Sequence, residues 1–427
     1  MIATSKGRAA QTAARERVLN QKKGEFSMRT YLLIATAMTA VVTATPAMAK
    51  VKFKPLVDAR LRYEHVDQTG LTKDADAITA RVRSGFELSD GPWSFLAEAE
   101  GTLAIDEAYN STVNGKTLYP TVADPENVEL NRLQIQYKGF KKTTITVGRQ
   151  RINLDDQRFV GAAAWRDNEQ TFDAVRLETA ALGPLSVDLA YSWSDRTIYG
   201  IDSPIQAING DNVFAGVGAK LGPVTVKGFA YLVDQDQATR LQFSSQTYGA
   251  RATASFALSK QVKLGLVSSY ARQSDYKHNP NNYAADYWLG EAALSGKGFT
   301  LTGGYEVLGA SSGANFTSFQ TPLATLHKFQ GWADKFLTTP GNGVRDLYFS
   351  AGYALPKKTK IGALSALVAW HDFKSDRLSL SYGSEWDAQV VLKPAKQFTL
   401  TAKYASYDAK TFATDTKKFW LQVDFIL

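Results

Sequence analysis

Charged side chains stand at every second position in several stretches of the chain, and they carry most of its evident chemistry. Arg60, Arg62 and Glu64 form one such run, and Arg81 and Arg83 form another. Arginine keeps its charge throughout the physiological pH range and presents a planar fork of donors that suits carboxylates. Rings of basic side chains commonly act as selectivity filters for anions, so a wet passage with such forks would bind an anionic solute such as a sugar acid.

Acidic residues occupy the same alternating positions and are about as numerous as the basic ones. Because cross-strand charges commonly pair with each other, structural pairing is the alternative to solute contact for every arginine. The sequence therefore indicates a charged surface but shows no net positive constriction. The charged members of this set are Asp58, Arg60, Arg62, Glu64, Arg81, Arg83, Glu87, Glu98, Glu100, Arg132, Arg176, Glu178, Arg251, Glu385, Asp387 and Lys403.

Residues suited to catalysis or metal binding are few and scattered. The chain has no cysteine and four histidines, which are His65, His278, His327 and His371. The spacings of a phosphate-binding loop, a zinc protease and a serine-hydrolase elbow are all missing from the sequence. We therefore predict no enzymatic activity, no metal site and no cofactor, with a hydrolase as the alternative.

The elements that would position the charged residues are β-strands. From residue 50 onward the dominant period is two; for example, Leu185, Val187 and Leu189 alternate with Ser186 and Asp188. Such alternation is typical of strands with two different faces. The connections alternate between tight turns and longer polar segments, and the hairpin count gives about eighteen strands.

The two faces distinguish a membrane barrel from soluble β-folds. One face carries Ala, Val, Leu, Phe, Tyr and Trp, and the other carries alternate-sign charges on nearly every strand. A β-sandwich also has period two, and a β-solenoid would require a fixed repeat, which the unevenly spaced Gly-Pro turns do not give. We predict an all-β fold, a transmembrane antiparallel up-and-down β-barrel of about eighteen strands, which is wide enough for an aqueous channel.

The first part of the chain has the pattern of a secretory leader. Arg29, the apolar stretch 31–42 and Ala47-Met48-Ala49 predict a signal peptide over residues 28–49, with residues 1–27 as an upstream extension and the barrel over 50–427. Residues 1–49 contain seven bases and two acids, so 42 bases and 39 acids remain in the rest of the chain. A charge near +3 gives little support to nucleic-acid binding.

The last strand and one long loop add two further expectations. Phe419, Leu421, Val423 and Phe425 alternate with polar residues, which is typical of the final strand of an outer-membrane barrel and predicts contact with the assembly machinery of that membrane. The segment 309–343 contains His327, Trp332 and Asp334 in an apolar setting. This composition favours a loop folded into the lumen as a constriction, or alternatively a cap over the barrel mouth.

Three stretches of the chain resemble the alginate-export family of outer-membrane channels. They are Gly148-Arg149-Gln150-Arg151-Ile152 through Trp165-Arg166-Asp167-Asn168-Glu169-Gln170-Thr171-Phe172-Asp173 to Arg176, then His327 to Asp334, and Gly383-Ser384-Glu385-Trp386-Asp387. The resemblance implies an eighteen-stranded monomeric barrel with an arginine-rich constriction, through which the best-studied members pass a polyuronate.

The same resemblance implies roles for particular residues. Arg149, Arg151, Arg166 and Arg176 would line the constriction, with Asp155 and Asp173 as structural or gating partners. Strand phase, however, places Arg149 and Arg151 on the lipid side with Val147, so a bulge near Gly148 is expected to bring them inward.

These observations predict a channel in the outer membrane of a bacterium that lets hydrophilic solutes pass by diffusion. Anionic saccharides are the expected solutes, and a general diffusion porin, an adhesin or receptor and an outer-membrane hydrolase are the alternatives. The expected partners are membrane lipid and the solute, and the short turns suggest that the long periplasmic gate of polymer exporters is missing. Direction of transport and the identity of the solute stay open.

Overall fold

A computed structural model of the chain describes residues 51–355 and 359–427. The predicted signal peptide, 28–49, and the predicted upstream extension, 1–27, lie outside these residues. In the described part the chain forms eighteen β-strands: β1 Lys52–Gln68, β2 Ala75–Asp90, β3 Trp93–Ala108, β4 Asn127–Tyr137, β5 Thr143–Gln150, β6 Thr171–Leu182, β7 Leu185–Arg196, β8 Ala207–Leu221, β9 Val224–Val233, β10 Ser245–Ala257, β11 Val262–Asp275, β12 Ala284–Gly296, β13 Phe299–Leu308, β14 Val344–Ala354, β15 Ala363–Lys374, β16 Ser381–Lys393, β17 Phe398–Ala409 and β18 Thr416–Ile426.

Each strand pairs with its sequence neighbours in antiparallel fashion, and the first strand pairs with the last. The register of that closing pair runs from Asp58 opposite Ile426 to Gln68 opposite Thr416. Closure pairs each of the eighteen described strands on both sides and leaves no open edge among them, which is the condition for a sheet to span a membrane. The predicted antiparallel barrel of about eighteen strands is confirmed.

The alternation of side chains gives the barrel two different surfaces. Leu61, Phe349 and Trp386 point outward, and 48%, 53% and 57% of their surfaces are exposed. Their strand neighbours Arg62, Glu385 and Asp387 point inward and are buried. The same two-residue period holds in β9 and β11, where the sequence pattern is weakest. No helix among the described residues is long and apolar enough to cross a membrane.

The connections on the two ends of the barrel differ in length. Two-residue turns such as Gly91-Pro92 and Gly183-Pro184 connect the strands at one end, which faces the periplasm in barrels of this architecture. The opposite end carries the long β3–β4, β5–β6 and β13–β14 loops, which span residues 109–126, 151–170 and 309–343.

Candidate functional site

The three long loops fold into the lumen and pack against its wall. Phe159 of the β5–β6 loop lies 5.2 Å, between ring centroids, from Phe229 of β9 and from Tyr287 of β12. Phe336 of the β13–β14 loop lies 4.5 Å from Phe373 of β15. The β13–β14 loop is therefore an inward-folded segment, as one of the two sequence-based alternatives proposed, and aromatic side chains of the inner wall hold it there.

The arginines of the first two strands form one cluster on the inner wall. Arg60 and Arg81 are directly opposite each other in the register of β1 and β2. Arg81 donates to Asp58 at 2.5 Å, and Arg83 bonds to Glu100. Arg60 donates to Asp424 at 2.9 Å. Each arginine is thus paired with an acid of its own or a neighbouring strand, as expected for a charged barrel wall.

The β5–β6 loop adds its own charges to this cluster. Arg62 donates to the carbonyl of Trp165 at 2.5 Å, and its guanidinium carbon lies 4.2 Å from the Trp165 ring centroid. Asp167 accepts from Arg60 at 3.4 Å. Burial alone would raise the pKa of Asp167, and the two arginines hold it below the ordinary value. The wall arginines therefore serve to hold the loop inside the lumen.

Arg166 connects all three inward-folded loops to the wall. Its guanidinium lies 3.3 Å from Glu64 of β1, 3.3 Å from Asp124 of the β3–β4 loop and 3.0 Å from Asp334 of the β13–β14 loop. Burial alone would lower the pKa of Arg166, but these three carboxylates raise it above the ordinary value. Because Arg166 is buried among three acids, it acts as a structural centre and offers little surface to a solute.

A second set of contacts holds the tip of the β13–β14 loop, and we call it the latch: His327, Asp334, Arg166, Lys403 and Lys418. Asp334 accepts from Lys418 of β18 at 2.7 Å and from His327 Nδ1 at 2.7 Å. The Nζ atom of Lys403 lies 2.6 Å from His327 Nε2. Since the Asp334 carboxylate can only accept, Nδ1 carries the proton and Nε2 is left to accept from Lys403, which is the neutral imidazole.

The pKa values of the latch residues in the loop agree with this assignment. Burial lowers the pKa of His327 well below its ordinary value, against the opposing effect of Asp334. Burial alone would raise the pKa of Asp334, but His327, Lys418 and Arg166 lower it well below its ordinary value. The latch thus combines a neutral imidazole with an ionised carboxylate.

Tryptophans surround the cation of Lys403. Its Nζ atom lies 3.7 Å from the ring centroid of Trp332 and 4.2 Å from that of Trp165. His327 stacks on Trp165 with the ring centroids 4.4 Å apart and the planes 6° apart. Among the described residues Lys403 has no carboxylate within ion-pair distance, so its stabilising contacts are the hydrogen bond to His327 and these aromatic faces.

Two buried acids of the wall bond to loop residues around the latch. Glu306 of β13 accepts from Arg158 at 2.7 Å and bonds to Gln330. Glu385 of β16 accepts from the amide of Ala333 at 2.6 Å. Asp387, two residues further along β16, is buried, and its carboxylate oxygens have no hydrogen-bond partner among the described residues.

Arg149 and Arg151 lie on opposite sides of the barrel wall. The register from Val147 to Arg149 is continuous against both neighbouring strands, so the expected bulge near Gly148 does not occur there. Arg149 therefore stays on the outer face with Val147 and pairs with Asp173 at 2.7 Å. The resemblance-based assignment of Arg149 to the pore lining is thus wrong, and Asp173 is its ion-pair partner on the outer face.

Arg151 points inward because β5 ends one residue earlier, at Gln150, and the chain turns into the lumen. Its Nε atom donates to Glu169 at 2.6 Å, and 31% of its side chain is exposed. Arg151 therefore faces the lumen, although no bulge places it there.

An open part of the lumen lies along the wall from β4 to β10. It contains a cavity of about 740 Å³, lined among others by Asp155, Glu178, Asp188, Lys227 and Arg251. A strip of partly exposed cations follows this wall, and we call it the cation strip. Its members are Arg132, Arg151, Arg176, Lys227 and Arg251. Their ion-pair partners are, in the same order, Glu98 at 2.7 Å, Glu169 at 2.6 Å, Asp188 at 2.7 Å, Asp155 at 3.0 Å and Asp156 at 2.8 Å.

The predicted site residues thus separate into two groups by accessibility. Arg62, Arg81, Arg83, Arg166 and Lys403 are buried and hold loops or wall together. Arg132, Arg151, Arg176 and Arg251 keep an exposed fraction toward the open lumen. Sequence reasoning missed several participants. The residues to which it assigned no role are Asp124, Arg158, Trp165, Asp167, Glu169, Asp188, Lys227, Glu306, Lys418 and Trp420.

Alternation could have indicated some of the missed residues. Lys418 and Trp420 share the inward phase of β18 with Gln422, so the strand pattern already contained this signal. The loop residues Asp124 and Asp167 gave no periodic signal, because irregular segments have no period, although Asp167 lies in a stretch that resembles the alginate-export family.

A closed antiparallel barrel with an apolar outer surface, a charged lumen and inward-folded loops defines a channel protein of the bacterial outer membrane rather than an enzyme. The chain belongs to the alginate export family, whose model matches residues 48–297, more than half of the chain. The resemblance seen in the sequence motifs is therefore confirmed. The chain matches none of the curated proteins.

Solved porin structures share the fold. OpdK of Pseudomonas aeruginosa, crystallised with vanillate, is 14% identical, with 88% of this chain and 98% of that chain covered and a TM-score of 0.68. OccAB4 of Acinetobacter baumannii is 13% identical, with 89% and 99% covered and a TM-score of 0.67. OpdL of Pseudomonas aeruginosa is 15% identical, with 88% and 99% covered and a TM-score of 0.65. At such identities the similarity concerns the fold.

Proposed function

We propose that this channel conducts small anionic saccharides, such as single uronates and short oligouronates, by passive diffusion. The observation that supports this proposal best is the cation strip, whose five basic side chains stay partly exposed along the open wall. Arginine forks on a wet wall suit successive carboxylates of a passing sugar acid. The crystallisation of OpdK with vanillate, a carboxylate, also agrees with a small organic anion as solute.

The dimensions of the open lumen favour small solutes over a long polymer. The cavity of about 740 Å³ falls within the range of about 300–1,000 Å³ that pockets for drug-sized molecules occupy. The three inward-folded loops fill much of the remaining cross-section with buried contacts, Arg166 among them. A solute would therefore pass along one side of the lumen.

A weakly selective diffusion porin is the second candidate. The acids that pair with the cation strip are themselves partly exposed, with 22% of the Asp155 side chain and 44% of the Glu178 side chain accessible. If these carboxylates cancel the field of the strip, small solutes would pass regardless of charge.

Monomeric action and insertion by the outer-membrane assembly machinery are further parts of the proposal. The closed sheet, with β1 paired to β18, supports the first, since no strand edge calls for a partner. The alternating last strand supports the second.

The test compares the uptake of glucuronate and glucose into proteoliposomes that contain the refolded protein. These sugars are similar in size and differ in charge, so we expect faster uptake of glucuronate. Arg151→Gln should lower the glucuronate-to-glucose ratio by about two- to fivefold, corresponding to a wet charge pair of roughly 0.4–1 kcal/mol. Arg149→Gln is the matched control, because Arg149 lies two residues away on the outer face.

Equal uptake of the two sugars by the unmodified protein would contradict the proposal and favour the diffusion porin. An equal effect of both substitutions would show that the cation strip has no special role.

A further inference from the structure

We infer that the periplasmic mouth of the barrel is an anion-concentrating vestibule formed by a ring of free lysines. This inference rests on the proposed function, since it names the place where anions enter and leave the channel. In this inference the mouth makes ion selectivity depend on the direction of the salt gradient, and the cation strip contacts the saccharide.

The charge at this end of the barrel is strongly one-sided. The periplasmic rim is taken as the short turns and the last three residues of each strand that adjoins them. Its described acidic side chains are Asp90 and Asp424, and one further acid, Glu87, lies directly opposite Lys54 just above this rim. Its described bases are all lysines, and we call them the lysine ring: Lys52, Lys54, Lys138, Lys141, Lys142, Lys220, Lys260, Lys263, Lys297, Lys360, Lys393 and Lys396.

The lysine ring differs from the basic residues of the lumen in its exposure and in its ion pairing. All twelve lysines are exposed. Among the described residues none of them forms an ion pair, whereas the five members of the cation strip are all paired. Of the two acids on the rim, Asp424 is bonded to Arg60. The uncompensated positive charge of this end is therefore concentrated around the mouth.

Several members of the ring point toward the lumen. Lys142 itself lines the 740 Å³ cavity, together with Gly216 and Gly218 of β8. Lys220 shares the face of these two glycines, because side chains two residues apart lie on one side of a strand. By the same alternation Lys52 and Lys54 lie on the lumen face of β1 with Arg60. Lys263 lies on the lumen face of β11 with Ser269, and Lys393 on that of β16 with Asp387. The ring therefore surrounds the entrance of the aqueous path.

The choice of lysine suits an electrostatic field more than a specific contact. Arginine pairs through a rigid fork, whereas the lysine ammonium is a compact, strongly hydrated charge on a flexible stem. A cluster of one sign at the mouth of a low-dielectric pore raises the local concentration of counter-ions by tenfold or more. The reach of this field is about 3 Å at 1 M salt, about 10 Å at 0.1 M and about 30 Å at 0.01 M.

This salt dependence gives the vestibule a directional signature. When the dilute solution faces the periplasmic mouth, the field extends across the entrance and excludes cations. When the dilute solution faces the extracellular loops, concentrated salt screens the lysine ring. The ratio of anion to cation permeability should therefore depend on the direction of the salt gradient.

The experiment measures the reversal potential of the refolded full chain in planar bilayers of neutral lipid, under tenfold KCl gradients in both directions. Because the chain has no cysteine, Asp202→Cys in the exposed β7–β8 loop supplies a unique label that reports orientation. We expect the anion-to-cation permeability ratio to be at least about twofold higher with the dilute side at the periplasmic mouth.

Changing the six lumen-facing lysines of the ring to Gln should abolish this difference. These residues are Lys52, Lys54, Lys142, Lys220, Lys263 and Lys393. Lys142→Glu alone should reduce it and keeps the test valid if the sixfold variant does not refold. The control changes Lys73, Lys116, Lys374 and Lys410, at the opposite end of the barrel, to Gln and should leave the difference intact.

Equal reversal potentials in both directions, or a difference that survives in the sixfold variant, would overturn the inference. A difference that appears only when the bilayer contains phosphatidylglycerol would assign the ring to lipid headgroups and would also overturn it. These outcomes are independent of the glucuronate test, because KCl currents do not involve the saccharide.

Discussion

Asp334→Asn is the substitution that should disturb the latch most directly. The Asp334 carboxylate accepts from Arg166 at 3.0 Å, Lys418 at 2.7 Å and His327 at 2.7 Å, and it is buried between wall and loop. The asparagine is nearly identical in shape but removes the charge that two cations share. The β13–β14 loop should therefore leave its inward position more often.

The size of the effect follows from the burial of these groups. Breaking a buried ion pair by removing one partner costs about 3–5 kcal/mol, because the remaining charge stays buried without compensation. Asparagine still accepts hydrogen bonds, and Arg166 keeps Glu64 and Asp124, so the lower end of this range applies. At about 1.4 kcal/mol per factor of ten, the population of the displaced loop should rise at least about a hundredfold.

Single-channel recording measures this population as the fraction of time spent at a higher conductance. The control is Asp408→Asn, which neutralises an acid that is 64% exposed and, among the described residues, pairs only with Lys410 of the β17–β18 loop. A conductance trace of the Asp334 variant that matches the unmodified protein, with the barrel folded by circular dichroism, would refute the assigned role of the latch.

Three further predictions concern the loop and the wall. Burial depresses the pKa of His327, so the neutral imidazole stabilises the inward position of the loop fully above its ordinary pKa of 6.5 and less below it. As the pH falls below 6.5, the higher-conductance fraction should therefore rise by up to about tenfold per pH unit. His327→Gln should flatten this dependence in the same recordings. Gly331→Ala should also raise the higher-conductance fraction, since φ is +78° and a Cβ would overlap the Glu385 carboxylate; Gly313→Ala, at φ +89° but remote from Glu385, is the control. Val368→Arg, on the lipid face, should lower the free energy of unfolding in urea by about 2–4 kcal/mol, whereas Ser186→Arg, which faces the lumen cavity beside Asp188 and Glu178, should leave it nearly unchanged.

The strands and their faces could be predicted because the membrane imposes a strict period. Trp386 and Asp387 show the reason: one must meet lipid and the other the lumen, so the sequence alternates as the side chains do. Arg149 shows that strand phase predicts the face of a residue better than the family resemblance does. Its strand phase indicated the outer face, and the family resemblance led to the wrong side.

The interior arrangement of the loops could be predicted only in outline. The composition of 309–343 indicated an inward fold, but the partners of Arg166 come from Glu64, Asp124 and Asp334, which lie 102, 42 and 168 positions away. Pairing over such distances depends on how three irregular segments meet inside the barrel. Local pattern carries no information about that meeting, so the division between buried and accessible arginines required the structure.

The most direct test of the central claim is the effect of glucuronate on single-channel KCl current. An anionic saccharide that occupies the cation strip should interrupt the current in proportion to its concentration, and Arg151→Gln should shorten these interruptions. Glucose at the same concentration should leave the current unchanged. Glucuronate that interrupts the current no more than glucose does would contradict the account.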